Sequence, residues 1–365
     1  MSKDLVLDDG TTLKWFERSC KTYLDGVTLV YGRRGSGKST VVKEIMYLCR
    51  DAIPIIYVIS QSSVTNDDYT GVVPPSFILS NITPEWLERL LSQQKGRALL
   101  YKNANNPENL KRVFNRVRTD RQLAYEQYVI AESEKSIIKI EQSHVLDQAE
   151  KNNKIKAIRD KAKEMLRDLY KNTIRSQRHH LSKIPDLTSE ELCCVNFVDY
   201  LPHMLLIFDD CAANFKKWAK SAPSIKEIFY NGRHYKITLI ITAQDDKEID
   251  PELRKNAIVS IFTAAQLASG NFGKAANGYP KHERKRAELC VSKVFAPTGD
   301  KDKKNINKLV YIQGGDGDPF AYMVAEDYGP FKMGCSGMWT LDEIKTDSTN
   351  TGGSSQSFID HYARL

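Results

Sequence analysis

Apolar residues along this chain fall into three patterns, each predicting a different kind of element. Short apolar runs rich in β-branched residues recur at Val27-Thr28-Leu29-Val30-Tyr31, Ile53-Pro54-Ile55-Ile56-Tyr57-Val58-Ile59, Met204-Leu205-Leu206-Ile207-Phe208, Ile237-Thr238-Leu239-Ile240-Ile241-Thr242 and Ile258-Val259-Ser260-Ile261-Phe262. Runs without polar alternation predict strands buried on both faces, as in a parallel sheet covered by helices. Helical spacing follows the first run over 40–49, and Pro84-Glu85-Trp86-Leu87-Glu88-Arg89-Leu90-Leu91 reads as a helix with proline in its first turn. Leu309-Val310-Tyr311-Ile312-Gln313 and Phe320-Ala321-Tyr322-Met323-Val324 flank Gly314-Gly315-Asp316-Gly317-Asp318, which predicts a β-hairpin closed by a glycine–aspartate turn.

The third pattern lies between the second and third runs. No glycine occurs between Gly96 and Gly232, and no proline between Pro107 and Pro185, so long helices are expected. Ile155, Ile158, Ala162, Met165 and Leu169 step in a 3-4-3-4 spacing that fits a coiled-coil seam. A less regular apolar set runs through Val113, Val117, Leu123, Tyr128, Ile137 and Ile140, and the polar stretch Gln148-Ala149-Glu150-Lys151-Asn152-Asn153 is the expected turn. These features predict an antiparallel helical hairpin over 107–184, inserted between two parts of an α/β core at 1–106 and 185–345; a single long bent helix fits the same pattern. Residues 346–357, rich in Ser, Thr, Gly and Asn, read as a flexible linker to a short docking peptide, Phe358-Ile359-Asp360-His361-Tyr362.

Charge sharpens the picture of that insertion. The 365 residues carry 53 Lys/Arg and 46 Asp/Glu, a net +7. Residues 107–184 hold 18 Lys/Arg against 11 Asp/Glu, so the whole excess lies there and the remainder has 35 of each. An appendage facing an acidic partner and a solvated helical surface both fit this distribution. No apolar run approaches the ~20 residues that span a bilayer, and the start lacks a signal-peptide core, so secretion is not expected. Seven scattered cysteines without a C-x-x-C pair point to reduced thiols rather than zinc.

The chemistry gathers at the strand ends. Gly32-Arg33-Arg34-Gly35-Ser36-Gly37-Lys38-Ser39 is a complete P-loop between a predicted strand and a predicted helix. Its glycines let backbone N–H groups wrap a triphosphate, the helix start at Ser39-Thr40 adds partial positive charge, Lys38 reaches the β/γ-phosphates, and the Ser39 hydroxyl can bind Mg²⁺. The expected ligands are ATP and Mg²⁺. Met204–Phe208 ends in Asp209-Asp210, a Walker B pattern in which Asp209 holds the Mg²⁺ shell and Asp210 orients or deprotonates the attacking water. Gln244, after Ile237–Thr242, is the candidate sensor of the γ-phosphate, with Thr242 second. Arg233 and Arg254 are candidate arginine fingers from a neighbouring subunit.

Taken together, the P-loop, the Asp209-Asp210 strand end, Gly232-Arg233-His234, the Thr242-x-Gln244 strand end and Leu253-Arg254-x-Asn256-Ala257 resemble the FtsK–HerA superfamily. Within it the chain resembles the virion genome-packaging ATPases of nucleocytoplasmic large DNA viruses. The resemblance covers 25–62 and 201–263, and Asp210 stands where the wider superfamily more usually has glutamate. It implies an additional-strand (ASCE, RecA-like) P-loop core, with which the five-stranded parallel sheet expected from the apolar runs agrees. It also implies a homo-oligomeric ring, pentamer or hexamer, that translocates double-stranded DNA into a preformed capsid, in contact with capsid or portal protein. By the same resemblance Arg233 is the favoured trans finger, and Arg33 or Arg34 contacts the γ-phosphate in cis. A virus-encoded protein of the host cytoplasm, viral factory or virion is then expected. The alternatives are a helicase or DNA pump of the same superfamily with a cellular or plasmid role, and a nucleotide-gated adaptor whose hairpin binds protein. Lys274, Lys281, Arg284, Lys285 and Arg286, near Tyr279, form a basic cluster suited either to DNA phosphates or to solvation.

Overall fold

The structure, a computed structural model, describes residues 4–60, 68–211, 218, 220, 222–297, 305–314 and 317–333. The described chain divides into two compact units, 4–95 with 201–333 and Gly96–Tyr200.

The first unit is built on one sheet. Its strands are β1 (Leu5–Val6), β2 (Thr12–Trp15), β3 (Val27–Tyr31), β4 (Ile55–Ser60), β5 (Ile78–Leu79), β6 (Met204–Asp209), β7 (Ile237–Ala243), β8 (Val259–Phe262), β9 (Asn307–Ile312) and β10 (Phe320–Val324), in the order β1-β2-β10-β9-β8-β3-β7-β6-β4-β5. The five expected strands β8, β3, β7, β6 and β4 pair in parallel in that order. Because β7 lies between β3 and β6, this is the additional-strand form of the P-loop NTPase fold. The predicted hairpin β9–β10 joins the same sheet, antiparallel to β8. Strands β1, β2 and β5 lie outside the expected five: two residues are too few to show a period, and Thr12-Leu13-Lys14-Trp15 of β2 has no unbroken apolar run.

The helices are α1 (Lys38–Cys49), α2 (Pro84–Ala104), α3 (Pro107–Val117), α4 (Asp120–Glu141), α5 (Gln148–Leu181), α6 (Ser189–Phe197), α7 (Pro223–Asn231), α8 (Ala265–Gly273) and α9 (Lys281–Val294). Both faces of the central strands are covered, which is why their sequences do not alternate. Val41, Val42, Ile45 and Met46 of α1 pack on one face with Val30, Ile207, Ile240 and Ile261. The other face carries Leu29, Leu206, Leu239 and Phe262, packed with Ile225 of α7, Phe272 of α8 and Cys290 of α9.

The second unit is helical and extends past the expected 107–184 at both ends, taking in the last turns of α2 and all of α6. Helices α4 and α5 are antiparallel: Gln122 donates to Thr173 (2.9 Å), Tyr170 to Glu126 (2.5 Å) and Lys151 to the Glu141 carbonyl (3.0 Å). The hairpin therefore prevails over one bent helix. Its turn lies at 142–147 rather than 148–153, because the Asp147 carboxylate caps α5 by accepting the Glu150 N–H at 2.7 Å. Ile155 is buried in the seam and Ile158, Ala162, Met165 and Leu169 are half-buried. Tyr128, assigned to the apolar set, is 60% exposed, and Val129 occupies the buried position instead. Gln61, Ser62 and Ser63 after β4, Gly315 and Asp316 of the hairpin turn, the linker and the docking peptide lie outside the described residues.

Candidate active site

The C-terminal ends of β3, β7 and β6 meet at one edge of the sheet, with Tyr31 in register with Ala243 and Phe208 with Ile241. The loop 32–37 leaves β3 at this edge. Its first glycine is required by space: a Cβ on Gly32 would lie 2.3 Å from Thr263 Oγ1 and 2.4 Å from Ser36 Oγ. The Thr263 hydroxyl donates to the Tyr31 carbonyl (3.0 Å) and shares a hydrogen bond with Ser36 (2.8 Å), pinning the loop to the end of β8. Gly35 and Gly37 hold left-handed φ values of 70° and 89°, and Gly37 forms the N-cap of α1. The loop thus opens onto the free N–H groups of a helix start, where an anion is favoured. Lys38 arches back over it, its Nζ donating to the carbonyls of Gly32 (2.7 Å) and Arg33 (3.3 Å). Arg33 donates to Gln266 (2.7 Å), Arg34 is exposed, and Ser39 and Thr40 occupy the first turn of α1.

Beside the loop, β6 delivers the two carboxylates. Thr242 Oγ1 donates to Asp209 Oδ1 (2.7 Å) and accepts the Asp210 N–H (3.0 Å), so one hydroxyl on β7 fixes both. Burial pushes the Asp209 carboxyl above its ordinary range, against the opposing pull of the Thr242 bond, Tyr69 and the Lys38 charge. Asp210 has φ 51°, a left-handed conformation costing on the order of 1 kcal/mol for an L-residue. In this conformation its carboxylate accepts a hydrogen bond from Gln244 Nε2 at 2.8 Å. Gln244 is held in turn by its own N–H, which donates to Glu248 (2.8 Å). Asp210 and Gln244, singled out separately in the sequence, are direct partners.

Two residues of this site carry no sequence signal. Ser39 Oγ donates to Asp68 Oδ2 at 3.2 Å. Tyr69, buried, lies beside Asp209 and Asp68, and burial together with those carboxylates raises its hydroxyl pKa well above normal. Both follow a polar stretch after β4 with no periodicity to read. Ser39, Asp68 and Asp209 are hard oxygen donors of the kind Mg²⁺ takes. Among the described residues no three His, Cys, Asp or Glu side chains converge on a metal position. A magnesium ion carried on a triphosphate requires only one or two protein oxygens.

The two candidate fingers differ in setting. Arg233 lies in the exposed turn Gly232–Tyr235 before β7, at the opposite edge of the sheet, about 20 Å from its own P-loop edge by strand rise. That turn is anchored by Lys236, whose Nζ binds Asp25 (2.9 Å). Arg254 instead is folded into its own chain, its side chain 11% exposed and bound to Asp246 at 2.8 Å. Lys274 binds the other oxygen of Asp246. Burial would raise the Asp246 carboxyl, but a hydrogen bond with Asp245 and the charges of Lys274 and Arg254 outweigh it and hold the group at about 2. The basic cluster is likewise partly committed to structure: beyond Lys274, Arg286 binds Asp318 (2.6 Å) and the Thr12 carbonyl (3.0 Å).

No family model matches the chain. It is 30% identical over 325 residues to the uncharacterized protein B354L of African swine fever virus (isolate Pig/Kenya/KEN-50/1950), covering 85% of this chain and 84% of that protein. It is 39% identical over 93 residues to the uncharacterized protein 015R of Frog virus 3 (isolate Goorha), covering 25% of this chain and 28% of that one. Among solved structures, the genome packaging NTPase B204 from Sulfolobus turreted icosahedral virus 2, in complex with AMPPCP, is 12% identical with a TM-score of 0.41, over 83% of this chain and 98% of that one.

Proposed function

The chain belongs to the family of the African swine fever virus protein B354L, and we propose that it is a Mg²⁺-dependent ATPase that drives double-stranded DNA through a homo-oligomeric ring to package a viral genome. The observation that carries this reading is the Asp210–Gln244 hydrogen bond at the P-loop edge. A carboxylate and an amide held together there can position a water and accept its proton, which a site that merely stores nucleotide does not need. The loop 32–37 and Lys38 bind the phosphates. Ser39 and Asp209, with Asp68 bonded to Ser39, would hold Mg²⁺, which would neutralise charge on the phosphate oxygens. Arg233 of an adjacent subunit completes the site, and its distance from its own P-loop supports action in trans. The viral source of the relatives and the motif resemblance favour packaging over a cellular pump.

Steady-state ATP hydrolysis, with and without long double-stranded DNA at low salt, tests the reading. Stimulation by DNA that is lost in Asp210→Asn is the expected result. Hydrolysis indifferent to DNA would overturn the motor in favour of a nucleotide-gated adaptor.

A further inference from the structure

We propose that Lys308, on β9, is a second phosphate-binding lysine of the nucleotide site, delivered by the C-terminal hairpin; the inference rests on the ATPase reading above. The register of β9 against β8 pairs Leu309 with Phe262. Lys308 therefore stands one residue further on, level with Thr263, whose hydroxyl is bonded to Ser36 of the loop. Alternation along the strand puts Lys308 on the same face as Val310, which is buried with Val41, Val42 and Ile45 of α1. The side chain thus extends along the face that carries the P-loop helix, towards the start of that helix.

Its ammonium reaches the loop. Nζ lies 3.6 Å and Cε 3.7 Å from the position a Cβ on Gly37 would take, and the residue is 6% exposed. Gly37 is the N-cap of α1 and one of the two left-handed glycines that shape the cradle. A phosphate lying between the helix start and Nζ would accept hydrogen bonds from the helix N–H groups and from Lys308 with the same oxygens. Lys38 belongs to the P-loop itself, whereas Lys308 arrives from the hairpin two strands away from β3 in the sheet order. Nucleotide occupancy is then felt directly by β9 and β10.

The test compares Lys308→Met and Lys308→Arg with wild type in the full-length chain. Equilibrium binding of fluorescent ATP and ADP with Mg²⁺ is measured beside thermal unfolding without nucleotide. Methionine keeps much of the packing, so Lys308→Met should still be folded at the assay temperature, which the nucleotide-free melting curve checks. Its affinity for ATP should fall about 10- to 100-fold, the worth of one charge-assisted contact. Arginine should retain affinity within a few-fold. A Lys308→Met protein that binds ATP as tightly as wild type, or that fails to fold, assigns the lysine a structural role and overturns the proposal. Absence of ATP binding by wild type is a different result, removing the ATPase reading and this inference with it.

Discussion

Thr242 organises the site at the residue scale, because its single hydroxyl is bonded to both carboxylate-bearing residues of β6. The chemistry therefore depends on side chains that can be changed without disturbing the loop. Gln244→Ala should lower single-turnover hydrolysis by about 10²-fold or more while leaving equilibrium ATP binding within a few-fold. Loss of binding in parallel would show that Gln244 shapes the pocket instead of the reaction. Asp209 allows a test with a definite sign. Its folded-state pKa is raised by burial, so the folded protein holds its proton more tightly than the unfolded chain does. Its contribution to stability is complete below the ordinary aspartate range and declines as pH rises through the raised value. At pH 7 the wild type thus carries the cost of a buried carboxylate, and Asp209→Asn should melt at a higher temperature. The gain should shrink towards pH 4, and Mg²⁺-dependent nucleotide binding should weaken at the same time. The P-loop and the Asp209-Asp210 pair are legible because fixed spacing carries their chemistry. Asp68 and Tyr69 are not, since their roles arise only from the contacts they make with Ser39 and with the α1 residues Val41, Val42 and Ile45.

At the scale of elements, the buried strands are legible from their unbroken apolar runs, and the short peripheral strands β1, β2 and β5 are not. The hairpin turn is displaced because an N-cap at Asp147 determines where α5 begins, and polarity alone does not mark that point. Lys308 shows a further limit. Its parity with Val310 marks it as an inward-facing lysine, but the partner of that face is fixed only by the sheet order. Arg254 looks like a finger in sequence because it follows a core element, yet Asp246 and Lys274 enclose it in one cluster. That cluster ties the segment after β7 to the start of the chain following α8. Asp246→Asn should lower the melting temperature at neutral pH by several degrees. Since the folded-state pKa of Asp246 is depressed to about 2, its contribution is present above the ordinary aspartate value and is lost as pH falls towards 2. The difference between wild type and variant should accordingly close in acid. A difference that persists at pH 2 would place the stabilisation in packing instead.

For the whole molecule, the length of the central strands separates two chemistries, with the P-loop after the C-terminal end of β3 and Arg233 before the N-terminal end of its neighbour β7. Arg233→Ala should bind ATP normally and hydrolyse it about 10³-fold more slowly, as for a finger supplied in trans. Mixed with wild type, it should depress activity more steeply than its share of the subunits; a linear decline would mean that each subunit works alone. Assembly of this kind leaves only weak traces in a single chain: the motif resemblance suggests a ring, and the position of Arg233 is compatible with one. The strand β7 joins the two edges. It begins just after the turn that carries Arg233, ends at the residues that fix Asp209 and Asp210, and is buried along its whole length between β3 and β6. A strand clamped on both sides cannot stretch, so a shift at one end must reappear at the other. Should subunits assemble as proposed, β7 would be a pushrod, seven residues long, between one subunit's phosphate site and the turn offered to the next.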